Sequence, residues 1–342
     1  MLTIALLTKN SEDTVGYALN SLRRQKMPSN LTFELVVVDG YSTDNTLKIV
    51  SDGIRKLKEE FGDRLARHVI LQEGVGVGYA RNLALRESCG EWILWLDSDN
   101  VLAQDYISQA IRRLRRRDVA VLYPKRVIPI RKRRNLATRL ILCYHISHGP
   151  LCQGKGRLKE LTKRKLIQEV LPYTAMQGTL CNVEVLRDIG GFNPYLNAAE
   201  DIDLFLRVID NKWRMESFDS TLYSFCRDRL NEWFRQAVMW GYGKELAKAF
   251  NRRLEATSAL QEPEGLAKVF EKIRGLTVHT FIMVFLFRRA MHLCGAMEAF
   301  CTPFIYVYRR VGYVKGYLCA LEQCRKVTRI LNKVPLKWDT ST

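Results

Sequence analysis

Two aspartates stand one residue apart at the end of an apolar run. In "EWILWLDSDN", residues 91–100, the aromatic and branched side chains of Trp92, Ile93, Leu94, Trp95 and Leu96 lead directly into Asp97 and Asp99. Close carboxylates repel and raise each other's pKa unless a cation or hydrogen-bond donors offset the charge. A divalent metal would do so. A polar turn over Ser98, Asp99 and Asn100 is also allowed by the residue types, and D-x-D by itself does not decide between the two. A second apolar run, "FELVVVDG", ends the same way at Asp39. A third acidic group, Glu200, Asp201 and Asp203 in "AAEDIDLFLRV", fits a helix start, where the macrodipole favours negative charge.

The elements that must carry these residues alternate. "LTIALLT" (2–8) reads as a strand. Residues 11–25 read as a helix with Ser11 as its cap and Val15, Ala18, Leu19 and Leu22 at helical spacing. A strand over 33–40, a helix over 42–62 with Asp44 in its first turn, a strand over 68–73, a helix over 78–88 and the strand at 92–96 follow. Strand–helix alternation predicts an α/β fold on a mostly parallel sheet, with ligands bound beyond the carboxyl ends of its strands. Asp39 and Asp97 occupy such ends. The glycines at 74, 76 and 78 are spaced G-x-G-x-G and follow the third strand, which excludes a dinucleotide-binding Rossmann loop. Arg81 and Asn82, just after them near a helix start, suit phosphate or base contacts.

The net charge of +18 is concentrated in "RRLRRR" (112–117), "IRKRR" (130–134) and "KGRLKELTKRK" (155–165), and again in the C-terminal third. Such clusters imply anionic partners. No helix-turn-helix, zinc-finger or RNP-like pattern accompanies them, which argues against nucleic acid. Nine scattered cysteines with no C-x-x-C pair fit reduced, mostly buried thiols, and the five histidines form no zinc site.

Asp39 with "STDNT", then "GYARNLAL", "WLDSDN" and "GGFNPYLNAAEDIDLFLRV", in this order, resemble a family 2 glycosyltransferase of the GT-A fold over roughly residues 2–230. The resemblance implies a nucleotide-sugar donor and Mg²⁺ or Mn²⁺ held by Asp99, with Asp97 on the ribose or the metal's water shell. It implies donor contacts from Thr8, Asn10, Asp39, Arg81, Asn82, Gln177, Gly178 and Glu200, with Asp201 as catalytic base in an inverting transfer of one sugar. Two positions depart from the family pattern. Gly40 and Tyr41 follow the first aspartate, and Arg227 stands where many members carry a histidine metal ligand. A catalytically silent GT-A scaffold is the competing reading, against which the retained aspartates speak.

The C-terminal third differs in character. Residues 232–250 read as a helix with Trp233, Ala237 and Trp240 on one side as core. "GLTVHTFIMVFLF" (275–287) and "AFCTPFIYVY" (299–308) are apolar but shorter than the ~20 residues that cross a bilayer. Val311, Val314, Leu318, Leu321 and Leu331 then form a helical stripe beside basic residues. This combination predicts attachment to an anionic membrane surface, on the cytoplasmic face because the first apolar run is a strand and no signal peptide. The expected division is a GT-A domain over 1–228 and a helical region over 229–342. The acceptor implied is a polyprenyl-phosphate or a lipid-linked glycan. Oligomeric state is not legible.

Overall fold

The computed structural model describes residues 1–114, 118–133, 135–152, 175–250 and 296–331. The contacts divide the chain into two compact units, one comprising Met1–Ile130 and Gln153–Phe225, the other Arg131–Cys152 and Cys226–Thr342.

In the first unit, β1 (Leu2–Thr8), β2 (Phe33–Asp39), β3 (Leu65–Gln72) and β4 (Trp92–Asp97) pair in parallel, with β1 between β2 and β4. Every residue of β2 is buried, as expected of a strand covered on both faces, whereas β3 at the edge alternates. The crossovers are helices α1 (Val15–Arg23), α2 (Thr46–Phe61) and α3 (Val77–Glu87). Beyond β4 the sheet continues through β7 (Leu180–Asn182), β6 (Val119–Ile130), β8 (Arg214–Phe225) and β5 (Asn100–Leu102). β7 is antiparallel to both its neighbours, while β6 and β8 run parallel over their length. Helices α4 (Tyr106–Arg113), α6 (Val183–Asp188) and α7 (Glu200–Asp210) complete this unit.

Two helix starts differ from expectation. α1 begins at Val15, because Ser11 does not cap it: the Ser11 carbonyl accepts from Thr14 and Val15 N–H at 2.9 Å, while its hydroxyl accepts from Ser98 Oγ at 2.7 Å. α2 begins at Thr46, and Asp44 lies outside the first turn, accepting from the Thr46 N–H at 3.0 Å. In both places a polar side chain satisfies a loop in preference to extending the helix.

The second unit contains α5 (Leu136–Cys152), α8 (Leu230–Phe250) and α9 (Ala296–Leu331). α8 and α9 approach at glycines. A Cβ on Gly241 would lie 2.0 Å from the Tyr313 carbonyl oxygen, and one on Gly316 would lie 1.9 Å from that of Val238. Trp233 and Ala237 are buried as expected, but Trp240 is 48% exposed and lies against the Arg309 guanidinium, 4.6 Å from ring centroid to Cζ. Among the described residues no helix is long and apolar enough to cross a membrane. Segments 155–165 and 275–287, to which basic and membrane-binding roles were attached, lie outside the described residues, as do Arg134 and residues 115–117. The expectation of mostly buried thiols fails at Cys89 and Cys319, which are exposed; Cys143 and Cys181 are buried.

Candidate active site

The register of the parallel strands places the acidic residues at one end of the sheet. Thr8 pairs with Asp39, Asp39 with Gln72, and Leu7 with Asp97. The chain moves from β1 to β2 and β3 on one side and returns to β4 on the other, so a topological switch point lies between β1 and β4.

Asp39 is fully buried and its carboxylate is engaged throughout. Oδ1 accepts from Thr8 Oγ1 (2.8 Å) and Ser42 Oγ (2.6 Å), and Oδ2 accepts from the Ser42 N–H (2.8 Å). Asn10, held at a positive φ of 45°, accepts at Oδ1 from the Thr43 N–H (2.9 Å) and donates its own N–H to Ser42 Oγ (2.8 Å). Thr8, Asn10 and Asp39 therefore form one network that stiffens the loops after β1 and β2. Tyr41, also at positive φ, stands exposed beside it.

Arg81 organises the next group. It is buried in the second turn of α3, with its guanidinium carbon 5.3 Å from the Trp95 ring centroid and 5.7 Å from that of Phe192. Nε donates to Glu200 Oε1 at 3.3 Å, Nη2 pairs with Asp97 Oδ1 at 3.5 Å, and buried Nη1 has no hydrogen-bond partner among the described residues. Burial above all, then the neighbouring Asp201 charge, pushes the Glu200 carboxyl up to about 7, against the opposing pull of Arg81. Half-buried Asp201 is likewise raised by burial, and its Oδ1 accepts from the Ile202 N–H at 2.8 Å. Asn82, next to Arg81 in sequence, is committed elsewhere. Its Nδ2 donates to the Phe192 carbonyl and its Oδ1 accepts from the Phe192 N–H, both at 2.7 Å. Both ends of the amide are thereby used to hold the Phe192 backbone.

The turn after β4 separates the two aspartates. The Ser98 N–H donates to the Leu7 carbonyl at 3.2 Å, and Asp99 leads away from Asp97 into β5. Asp99 Oδ1 accepts from Asn100 Nδ2 at 3.0 Å. Buried Asn100 also reaches Gln177 Oε1 (3.3 Å) and Ser224 Oγ (3.4 Å). Gly178 turns the chain here at φ 69°, donating to the Trp95 carbonyl at 2.7 Å; a Cβ at that position would lie 2.4 Å from Tyr106 Oη. Asp99, Gln177 and Gly178 thus meet along one edge, Asp97, Arg81 and Glu200 along another.

The sequence model described as "Glycosyl transferase family 2" matches residues 3–190, more than half of the chain. The chain belongs to glycosyl transferase family 2. Among curated proteins it is similar to the poly(ribitol-phosphate) β-N-acetylglucosaminyltransferase TarS of Staphylococcus aureus, 36% identical over 110 residues that make up 32% of this chain and 18% of TarS. It is also similar to the poly(ribitol-phosphate) β-glucosyltransferase of Bacillus spizizenii, 32% identical over 104 residues, 30% of this chain and 16% of that protein. The matches therefore span less than a fifth of these relatives. Among solved structures, the mannosyltransferase PcManGT of Pyrobaculum calidifontis, in complex with GDP-Man and Mn²⁺, superposes with a TM-score of 0.58 at 16% identity, over 94% of this chain and 86% of that one. The fold is of the GT-A type.

Within this family fold, the residues at the end of β4 fit a hard divalent cation in one particular way. No group of three or more His, Cys, Asp or Glu side chains among the described residues is placed to hold a metal alone. Mg²⁺ takes one or two carboxylates and completes its shell with phosphate oxygens and water, and half-buried Asp97 and Asp99 supply that number. The G-x-G-x-G stretch has a steric function. A Cβ on Gly78 would lie 2.3 Å from the Asn193 carbonyl oxygen, so glycine lets the 193–197 loop close on α3. Sequence reasoning missed Asn100, Ser224 and the Ser11–Ser98 bond, and it did not join Arg81 to Glu200. The position of Asn100 directly after D-x-D was the available signal.

Proposed function

We propose that the chain is an inverting glycosyltransferase that moves a single sugar from a nucleoside-diphosphate sugar to a phosphate-bearing or lipid-linked acceptor. The observation that carries this reading is the joining of Asp97 and Glu200, at the α7 N-terminus, by Arg81 at the end of β4, two residues before Asp99. The Asp39–Thr8–Asn10 network is suited to the nucleoside, and Gln177 and Gly178 to the donor sugar. A divalent cation bound through Asp99, with Asp97 beside it, would neutralise the diphosphate as negative charge develops on the leaving group. Arg81 fixes Asp97 and Glu200 relative to each other; Glu200 takes a sugar hydroxyl. Asp201 accepts the proton of an acceptor hydroxyl as the new bond to the anomeric carbon forms and the bond to the diphosphate breaks. Its raised pKa, caused first by burial, favours that task. A phosphate acceptor is already anionic, and Asp201 would then orient it. The net charge of +18 and the naming of two relatives for poly(ribitol-phosphate) both support an anionic acceptor.

The test is nucleotide release from a panel of nucleoside-diphosphate sugars with Mn²⁺ or Mg²⁺. Turnover of one donor is expected. Absence of release from every donor, with and without phosphate-bearing acceptors, would leave the silent scaffold as the correct reading.

A further inference from the structure

α9 is apolar on two opposite sides. One side is packed within its own unit: Ile305, Arg309 and Ala320 are buried, and Gly312 and Gly316 meet α8. At about 100° per residue, Val307, Val311, Val314 and Leu318 share an arc of about 60° on the opposite side. They are 47%, 55%, 41% and 57% exposed. Tyr308 borders the arc, and exposed Arg310 and Lys315 stand on either flank of it. A contiguous exposed apolar strip marks an interaction surface. We propose that this outward face of α9 docks the protein on an anionic lipid bilayer, lying in the plane of the interface with Arg310 and Lys315 at headgroup level.

Charge selects this occupant over a second copy of the chain. Two chains that each carry +18 repel, whereas an anionic surface attracts both the whole molecule and the two basic residues that edge the strip. Length selects an interfacial pose over a spanning one, because 307–318 covers about 17 Å of helix against a hydrocarbon core of about 30 Å. Basic residues flanking an apolar face are the pattern of helices that bind in the headgroup region. The footprint begins where the apolar run at 299–308 ends. It deepens the lipid-linked-acceptor reading by assigning the surface that would bring the chain to such an acceptor, and it is tested without any transfer reaction.

The full-length chain is sedimented with vesicles of phosphatidylcholine, with and without about 30% phosphatidylglycerol, at low and high salt. Partition into the anionic vesicles is expected, weakened by salt but not abolished, since salt screens the charges and leaves apolar burial intact. The double variant V311D/L318D should lose tenfold or more in partition, and R310Q/K315Q about 25-fold, about fivefold for each charge removed. Both should keep the parent circular dichroism and melting temperature, because the altered side chains are exposed. Unchanged binding of V311D/L318D overturns the proposal, as does an intact chain that stays in the supernatant at low salt. A dimer that V311D/L318D dissociates, without binding to vesicles, would overturn it in favour of a self-interface. Nucleotide release by the parent chain without vesicles is scored separately, so failure to dock and failure to catalyse are distinguishable.

Discussion

Replacing Glu200 by glutamine should make the protein more stable at alkaline pH than the parent. The carboxyl is buried beside Asp201 and holds its proton up to about 7, from an ordinary value of 4.5, chiefly because burial disfavours its charged form. Below the unfolded value both folded and unfolded chains carry the proton, and pH has no effect through this group. Between the two values the folded chain holds a proton that the unfolded chain has released, so stability falls as pH rises; above about 7 the loss is complete. At about 1.4 kcal/mol per tenfold in proton affinity, this amounts to about 3 kcal/mol between pH 4.5 and pH 8. For a unit of this size that is a shift in melting temperature of about 6–12 °C. Melting of parent and Glu200→Gln with EDTA and no donor, across pH 5–8, isolates the effect, since every other titrating group is common to both. Glutamine can still accept the Arg81 Nε–H bond seen at 3.3 Å. The difference between the two curves should widen from pH 5 to about 7 and then level off. Parallel curves would refute the placement of Glu200 as a buried, proton-holding carboxyl.

Asp99→Asn should abolish turnover while leaving the melting temperature within a few degrees of the parent, and EDTA should reproduce the loss in the unmodified chain; activity that survives both rules out the assigned metal role. Asp201→Asn should retain donor binding and lose about 10²–10⁴-fold in transfer to a hydroxyl acceptor, a much smaller effect identifying a phosphate acceptor instead. Gly78→Ala should destabilise the fold by about 1–3 kcal/mol, read by urea denaturation, because the added Cβ meets the Asn193 carbonyl at 2.3 Å and backbone must move. Unchanged stability there would mean that the 193–197 loop does not close on α3.

β1, β2 and β4 were legible because strands buried on both faces are written as short unbroken apolar runs, whereas β3, an alternating edge strand expected over 68–73, spans Leu65–Gln72. β1 spans Leu2–Thr8, the bounds that its residues predict, and β2 spans Phe33–Asp39, one residue short of the expected 33–40. Helix starts were less legible, since Ser11 and Asp44 have the residue types of caps while their side chains serve contacts up to 87 positions away in sequence. Periodicity reports only neighbours along the chain. It could not show that Arg81 bonds to Glu200 across 119 positions, or that Asn100 reaches Ser224 across 124. The separation of α5 from the sheet that surrounds it in sequence has the same origin, for its apolar residues Leu140 and Ile141 find Trp233 and Ile305, both remote in the chain.

Like charges can follow buried strand material because the structure divides them. Along an extended strand, residues two apart would share a face, and Asp97 and Asp99 would confront each other. The turn at Ser98, tied to the Leu7 carbonyl and to Ser11, breaks that alignment. Asp97 then pairs with Arg81, and Asp99 bonds to the Asn100 amide. Arg81 nevertheless faces three carboxylates, those of Asp97, Glu200 and Asp201, with one positive charge. Burial first of all raises both the Glu200 and Asp201 carboxyls, so a proton retained by the pair reduces the surplus, while the neighbouring carboxylates raise Arg81 against its own burial. The remaining negative charge lies beside the D-x-D turn, where it would favour a divalent cation arriving with a diphosphate. Burying an arginine between Trp95 and Phe192 is costly, but without it the carboxylates gathered at the β4 end would destabilise the strand ends that display them.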